Sequence, residues 1–282
     1  MGKIQKELNA HNGSIYSLAV LPNGDLASAS SDSTIKIWNT NDGTVKQTLT
    51  GHRDCIWDLI VDNNYLFSAS DDKTIKIWNI NEGTAERTLT GHGGRVLTLK
   101  MIKTGVLASG SGDRSIKIWN CQSGTLRTTL NGHKGEVWTL ALLRSGDLAS
   151  GSPDNTIKIW DVEIGRVKMS LAGHTSHVYR LAVLDNGDLV SGSNDKTIKI
   201  WDVEDGTVKR TLTGHTSHVL ALKVVNNGDL VSGSNDGAIL MWDVESGLVK
   251  KYLKQSKTVY SLEELQNGDL VSGSSNSILI WS

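Results

Sequence analysis

Phenylalanine occurs once in 282 residues, proline twice and cysteine twice. The two cysteines, Cys55 and Cys121, cannot build the disulfide framework of a small secreted scaffold, and their scarcity fits a reducing compartment. No apolar run approaches the roughly 18 residues that a membrane-spanning helix needs. The opening Met1-Gly2-Lys3-Ile4-Gln5-Lys6-Glu7 is too charged for a secretory leader. Lys6 stands where a myristoylation signal carries Ser or Thr. A cytoplasmic location is therefore expected, with no membrane partner. Charge of one sign is missing as well: 29 basic against 30 acidic residues leave a net charge of -1. That balance argues against a dedicated binder of nucleic acid or of anionic membranes. Long helical periodicity is absent too.

Hydrophobic residues at 38% supply a core, and 29 glycines beside two prolines suggest many short hairpins. Tryptophan is abundant and regular. It recurs at 38, 78, 119, 160, 201, 242 and 281, mostly within Thr-Ile-Lys-Ile-Trp-Asn/Asp. Histidine recurs at 11, 52, 92, 133, 174 and 215, after Gly in every case but Ala10-His11. Asp lies six residues before the Trp at 32, 72, 113, 154, 195 and 236. Such self-similarity at about 41 residues is the signature of a repeat architecture. Each unit holds four short strand signals. In the fifth these are His177–Val183, Asp188–Gly192, Thr197–Trp201 and Thr207–Leu212, with Asn186-Gly187 expected to turn through positive φ at both positions.

The Gly-His … Trp-Asp frame resembles the WD-repeat β-propeller family, and the resemblance spans nearly the whole chain. It implies an all-β fold: seven blades of four antiparallel strands, with residues 1–282 forming one domain. The last unit stops after its third strand at Trp281-Ser282, while Lys3–Leu8 matches Thr44–Leu49 in pattern. The N-terminal strand is therefore expected to complete the last blade and close the ring. A six-blade ring would leave one Trp unit without a place.

Histidine, serine and aspartate in each unit invite comparison with a hydrolase triad. Six copies, each ending in Trp, argue instead for structure. The resemblance implies buried hydrogen-bond chains, and the sets are His11, Ser28, Asp32 and Trp38; His52, Ser68, Asp72 and Trp78; His92, Ser109, Asp113 and Trp119; His133, Ser150, Asp154 and Trp160; His174, Ser191, Asp195 and Trp201; His215, Ser232, Asp236 and Trp242. The seventh unit reads Lys254-Gln255-Ser256 and Ser274-Ser275-Asn276 at these places, and its blade is expected to be the least rigid. No catalytic residue, metal or cofactor is expected. His177 and His218 have a spacing compatible with zinc, but solvated loop histidines are the preferred reading. Lysines along the strands, among them Lys36, Lys46, Lys168 and Lys209, are read as guards against edge pairing.

Removing the repeated residues leaves eight aromatic side chains. Five share one position, which reads Tyr16, Trp57, Leu97, Trp138, Tyr179, Leu220 and Tyr260 around the ring. Two residues earlier the chain shows varied polar groups, among them Arg95, Glu136, His177 and His218. An aromatic centre with a polar rim is the composition of a recognition hot spot. The expected site is the mouth of the central channel, where the resemblance implies a peptide anchored by an inserted Arg or Lys against Trp57 or Trp138. The opposite face is expected to be acidic, with Asp25, Asp42, Glu82, Asp147, Glu163, Asp188, Glu204, Asp205, Asp229 and Glu245 in its turns. The function expected is a monomeric, non-enzymatic protein- or peptide-binding scaffold. Rival readings are a ubiquitin- or substrate-recognising propeller of a larger assembly, a recently duplicated or consensus chain without an evolved ligand, and an enzyme, which no asymmetric acid–base cluster supports.

Overall fold

The computed structural model describes residues 2–9 and 11–282, so the Ala10 noted before His11 lies outside the described residues. These residues form 28 strands in seven four-stranded antiparallel sheets. In the first sheet the order from the centre outward is Ile15–Val20, Leu26–Ser30, Ile35–Trp38 and Val45–Leu49. The inner strands of blades two to seven are Ile56–Asp62, Val96–Lys103, Thr139–Leu142, Val178–Val183, Val219–Val224 and Ser261–Glu264. Each inner strand touches the next, and the last touches the first, so the ring of seven blades closes.

The closure is made as the sequence suggests. Ile4–Asn9 pairs with Ser277–Trp281 as the outermost strand of the last blade, with Leu8 opposite Ile278. Leu8 is buried there, whereas Ile4 stays 45% exposed. Pairing removes the sheet edge that the third strand would otherwise offer. In blade five the strands are Val178–Val183, Leu189–Ser193, Ile198–Trp201 and Val208–Leu212, within a residue of the sequence reading.

Burial explains the residue choices. Every residue of Leu26–Ser30 is buried, because neighbouring blades cover both faces of the second strand. The outer strand Val208–Leu212 is exposed up to Leu212. The apolar core lies between blades: Ile198, Ile200 and Leu212 of blade five pack with Val219, Leu240 and Trp242 of blade six. The Gly of the Gly-His pair has a steric cause, since a Cβ on Gly173 would stand 3.0 Å from the Trp201 ring.

Two local expectations are corrected. Asn186 does not take positive φ; only Gly187 does, at +95°. The Gly187 amide donates to the Leu184 carbonyl, and Leu184 N–H to the Asp188 carbonyl, so the turn is one residue longer than a two-residue loop. The Asn186 side chain serves as a brace, accepting from the Asp188 amide and donating to its carboxylate. The lysines, likewise, do more than guard edges. Lys36, Lys76, Lys117, Lys158 and Lys199 each donate to a Thr or Ser hydroxyl on the outer strand. Lys46, Lys168, Lys209 and Lys250 pair with Asp25, Asp147, Asp188 and Asp229. Four of the ten turn carboxylates are thus neutralised, and the face opposite the Gly-His loops carries less negative charge than its turns suggest.

Candidate functional site

The six polar sets are wired as chains that run from the inside of each blade to its turn. The Trp indole N–H donates to the Ser hydroxyl at 2.7–2.8 Å in Trp38, Trp78, Trp119, Trp160, Trp201 and Trp242. The hydroxyl meets His Nε2 at 2.6–2.7 Å. In blades one to five His Nδ1 meets the Asp Oδ2 at 2.7–2.8 Å. A Thr or Ser two residues on, such as Thr34, donates to Asp Oδ1. The serines are fully buried and the histidine side chains are 0–1% exposed, so no nucleophile is presented to a substrate. Burial resists ionisation of Asp32, but the Thr34 and His11 hydrogen bonds outweigh it and bring its pKa down to about 2. Burial, assisted by the Lys36 charge, pushes His11 below its ordinary 6.5 against the pull of Asp32.

Blade six is the flawed copy. Ala238 replaces the Thr or Ser, Thr216 Oγ1 donates to Asp236 Oδ2 at 3.1 Å, and His215 Nδ1 stands 3.4 Å from that oxygen with no hydrogen-bond partner.

The ring position converges as its spacing implies. Tyr16, Trp57, Leu97, Trp138, Tyr179, Leu220 and Tyr260 line one cavity of about 300 Å³, together with Arg95 and Arg180. Tyr16 stacks on Trp57 at 4.3 Å between ring centroids and meets Tyr260 edge-on. Across the cup Trp138 stacks on Tyr179 at 4.7 Å. His218 stacks on Tyr179 while His177 meets Trp138 edge-on, so both histidines belong to the aromatic wall. No group of three or more metal-ligating side chains occurs among the described residues.

Polar partners fix these rings. Trp57 Nε1–H donates to Asp71, and Trp138 Nε1–H to Glu136. Arg95 grips Glu136 with two nitrogens, at 3.2 and 2.7 Å. Burial works against the Glu136 charge, but the Arg95 and Trp138 hydrogen bonds hold its pKa below the ordinary value. Burial raises the Tyr16 and Tyr179 hydroxyls. It also pushes the Cys55 thiol up to about 12, assisted by Asp71 and Asp54, so this thiol is unreactive. Arg95 already lies 5.8 Å from the Trp57 centroid, so an incoming cation meets the protein's own guanidinium.

Sequence reasoning missed Asp71 and Arg180. The signal for Arg180 is present: one position after the ring residue, all blades carry Ser, Thr or Ala except Asp58 and Arg180.

Seven antiparallel blades closed around a channel, six of them carrying a Trp-Ser-His-Asp set, define a WD-type β-propeller. The family described as WD domain, G-beta repeat matches residues 2–39, 43–79, 83–120, 124–161, 165–202 and 206–243, and the chain belongs to it. Each match begins with the outer strand of the preceding blade, which is why the first includes Ile4–Asn9. The fold is similar to the crystal structure of the WD40 beta propeller domain of Doa1, with a TM-score of 0.90 and 30% identity over 99% of this chain and 96% of that one. A stretch of 54 residues is 43% identical to the non-functional target of rapamycin complex subunit LST8-2 of Arabidopsis thaliana, covering 18% of this chain and 17% of the relative. Another of 52 residues is 42% identical to the U3 small nucleolar RNA-associated protein 13 of Saccharomyces cerevisiae, covering 18% of this chain and 6% of that protein. The target of rapamycin complex subunit LST8-1 of Arabidopsis thaliana is 48% identical over 48 residues, covering 17% of this chain and 16% of the relative. The matched stretches are thus a small part of each curated relative.

Proposed function

We propose that the 282 residues work as one domain, a non-enzymatic platform that seats a protein or peptide segment in the aromatic cup. The observation that carries this reading is the convergence of five aromatic side chains on a single cavity of about 300 Å³. The Trp57 and Trp138 indoles and the Arg95 guanidinium are held by Asp71 and Glu136, so the cup is preorganised, and a ligand loses little affinity to ordering it. Packing of the channel wall alone needs only aliphatic side chains, such as the Leu97 and Leu220 that stand at the same position. Two relatives are named as subunits of target of rapamycin complexes, which favours a partner within a larger assembly.

The test is capture of partners by the wild-type chain and by Trp57→Ala with Trp138→Ala. The partner should be lost with the tryptophans, since anchors of this kind contribute about 2 kcal/mol or more. It should be retained by Asp188→Ser on the opposite face. A co-structure with the partner on that face and both tryptophans untouched overturns the assignment.

A further inference from the structure

The central channel continues beneath the cup, and Arg180 lines both spaces. Here the chain departs from its own repeat. At the position after the ring residue Asp58 and Arg180 replace small residues, and two positions further Lys100, Lys223 and Glu263 replace Ala or Ile. The channel cavity has a volume of about 170 Å³ and is lined by Arg180, Lys100, Asp58 and the hydroxyl-bearing Thr98 and Thr139. A water's share of the liquid is about 30 Å³, so this space fits one small oxyanion with a few waters.

The charges inside do not cancel. Asp58 is tied to the wall: Oδ1 accepts from the Ser17 hydroxyl and the Leu59 amide, and Oδ2 from the Leu99 amide. Among the described residues no Lys or Arg nitrogen lies within 4.0 Å of it. Lys223 is spoken for by Glu263. Arg180 and Lys100 are left facing the cavity without a bonded carboxylate. Among the described residues the Arg180 guanidinium makes one hydrogen bond, from Nη2 to the Tyr16 carbonyl across the channel at 3.4 Å, which leaves most of its five donors free. Burial depresses the pKa of Lys100, with Lys223 adding to it and Asp58 opposing. Two cations that share one wall-bound carboxylate, Asp58, in a narrow space leave an excess of positive charge, and an anion between them offsets it. Guanidinium and ammonium together suit a phosphate or carboxylate.

We propose that the channel below the cup is a site for one small oxyanion, a phosphate or a carboxylate, held between Arg180 and Lys100. The anion is either free or carried on an acidic side chain of a segment seated in the cup; the second source alone rests on the proposed peptide binding.

Calorimetric titration of the full chain with inorganic phosphate, at constant ionic strength, tests the site. Saturable binding at one site is expected, weakened at least tenfold by Arg180→Met and by Lys100→Met. Lys100→Arg should retain it, and so should Lys250→Met, whose lysine pairs with Asp229 outside the channel. The melting curve of each variant is recorded alongside, and Lys100→Arg serves as the folded control. Trp57→Ala separates the two readings: phosphate binding that survives it supports the channel site even where the peptide is lost. Capped glutamate that binds in the place of phosphate, and is lost with Arg180→Met, identifies an acidic side chain as the source. Absence of saturable binding by either anion overturns the proposal, and so does equal weakening in Lys250→Met.

Discussion

Gln255 and Ser272 in the last blade hold the bond that a histidine and a serine hold in the other six: the Ser272 hydroxyl donates to Gln255 Oε1 at 2.8 Å. The Trp281 indole donates to the same hydroxyl at 2.9 Å, and the Gln255 amide nitrogen donates to the carbonyls of Lys257 and Thr258. The expectation of a looser seventh blade rested on the loss of its histidine and aspartate. An amide refills the network without either, because it carries acceptor and donor on one planar group.

Gln255→Ala should therefore destabilise the chain by about 1–3 kcal/mol, since it leaves the proton of the buried Ser272 hydroxyl without its Gln255 acceptor. Gln255→Glu should cost more by burying a charge. Urea denaturation of both variants measures this. Equal midpoints for wild type and Gln255→Ala would show that the amide contributes nothing.

Blade six can be repaired from its own siblings. Ala238→Thr places a hydroxyl where Thr34, Thr74 and Thr197 donate to their aspartates. The gain should be about 0.5–1.5 kcal/mol, the net value of one such hydrogen bond. A raised melting temperature, with the His215 imidazole drawn closer to Asp236, is the expected result. A fall in melting temperature would show that the buried Ala238 site has no room for the branched side chain.

Acid should unfold the propeller steeply. Asp32, Asp72, Asp113, Asp154 and Asp195 all ionise at lower pH in the folded chain than their ordinary 3.8, because hydrogen bonds from His and Thr or Ser outweigh burial. Folded protein thus binds fewer protons, and the stability they contribute is complete above about pH 4 and lost as these groups are protonated below it. For Asp32 the window runs from 3.8 down to about 2. His11 and His215 act in the same direction near pH 6.5, since burial lowers their pKa and the unfolded chain protonates first. Asp195→Ala should cost about 1–3 kcal/mol at neutral pH and flatten the acid limb of the stability curve. An unchanged limb would detach these aspartates from acid unfolding.

The closing strand should matter out of proportion to its length. Removing residues 1–8 exposes the edge of Ser277–Trp281 and uncovers the apolar core that Leu8 shares with Ile278 and Ile280. A sharp fall in melting temperature or aggregation is expected. Leu8→Ala alone should cost about 2–4 kcal/mol, while the exposed Ile4→Ala should cost little. A truncated chain that melts like the parent would show that the seam does not depend on this strand.

Residues 38, 78, 119, 160, 201, 242 and 281 alone determine the blade count, because a Trp that caps a hydrogen-bond chain must recur once per sheet. The same arithmetic places Tyr16, Trp57, Trp138, Tyr179 and Tyr260 around one mouth, since equal repeat position means equal height in the ring. Period and pattern determine what is common to the blades. Tertiary structure decides what differs between them, and for a definite reason: the period places residues of different blades at one level of the ring, but which of their side chains meet depends on packing between and across blades. Arg95 reaches Glu136 in the next blade, 41 residues away, and Arg180 reaches the Tyr16 carbonyl across the channel from 164 residues away. Only closure of the ring brings Arg180 and Lys100 to face a single cavity, a juxtaposition that neither strand shows alone.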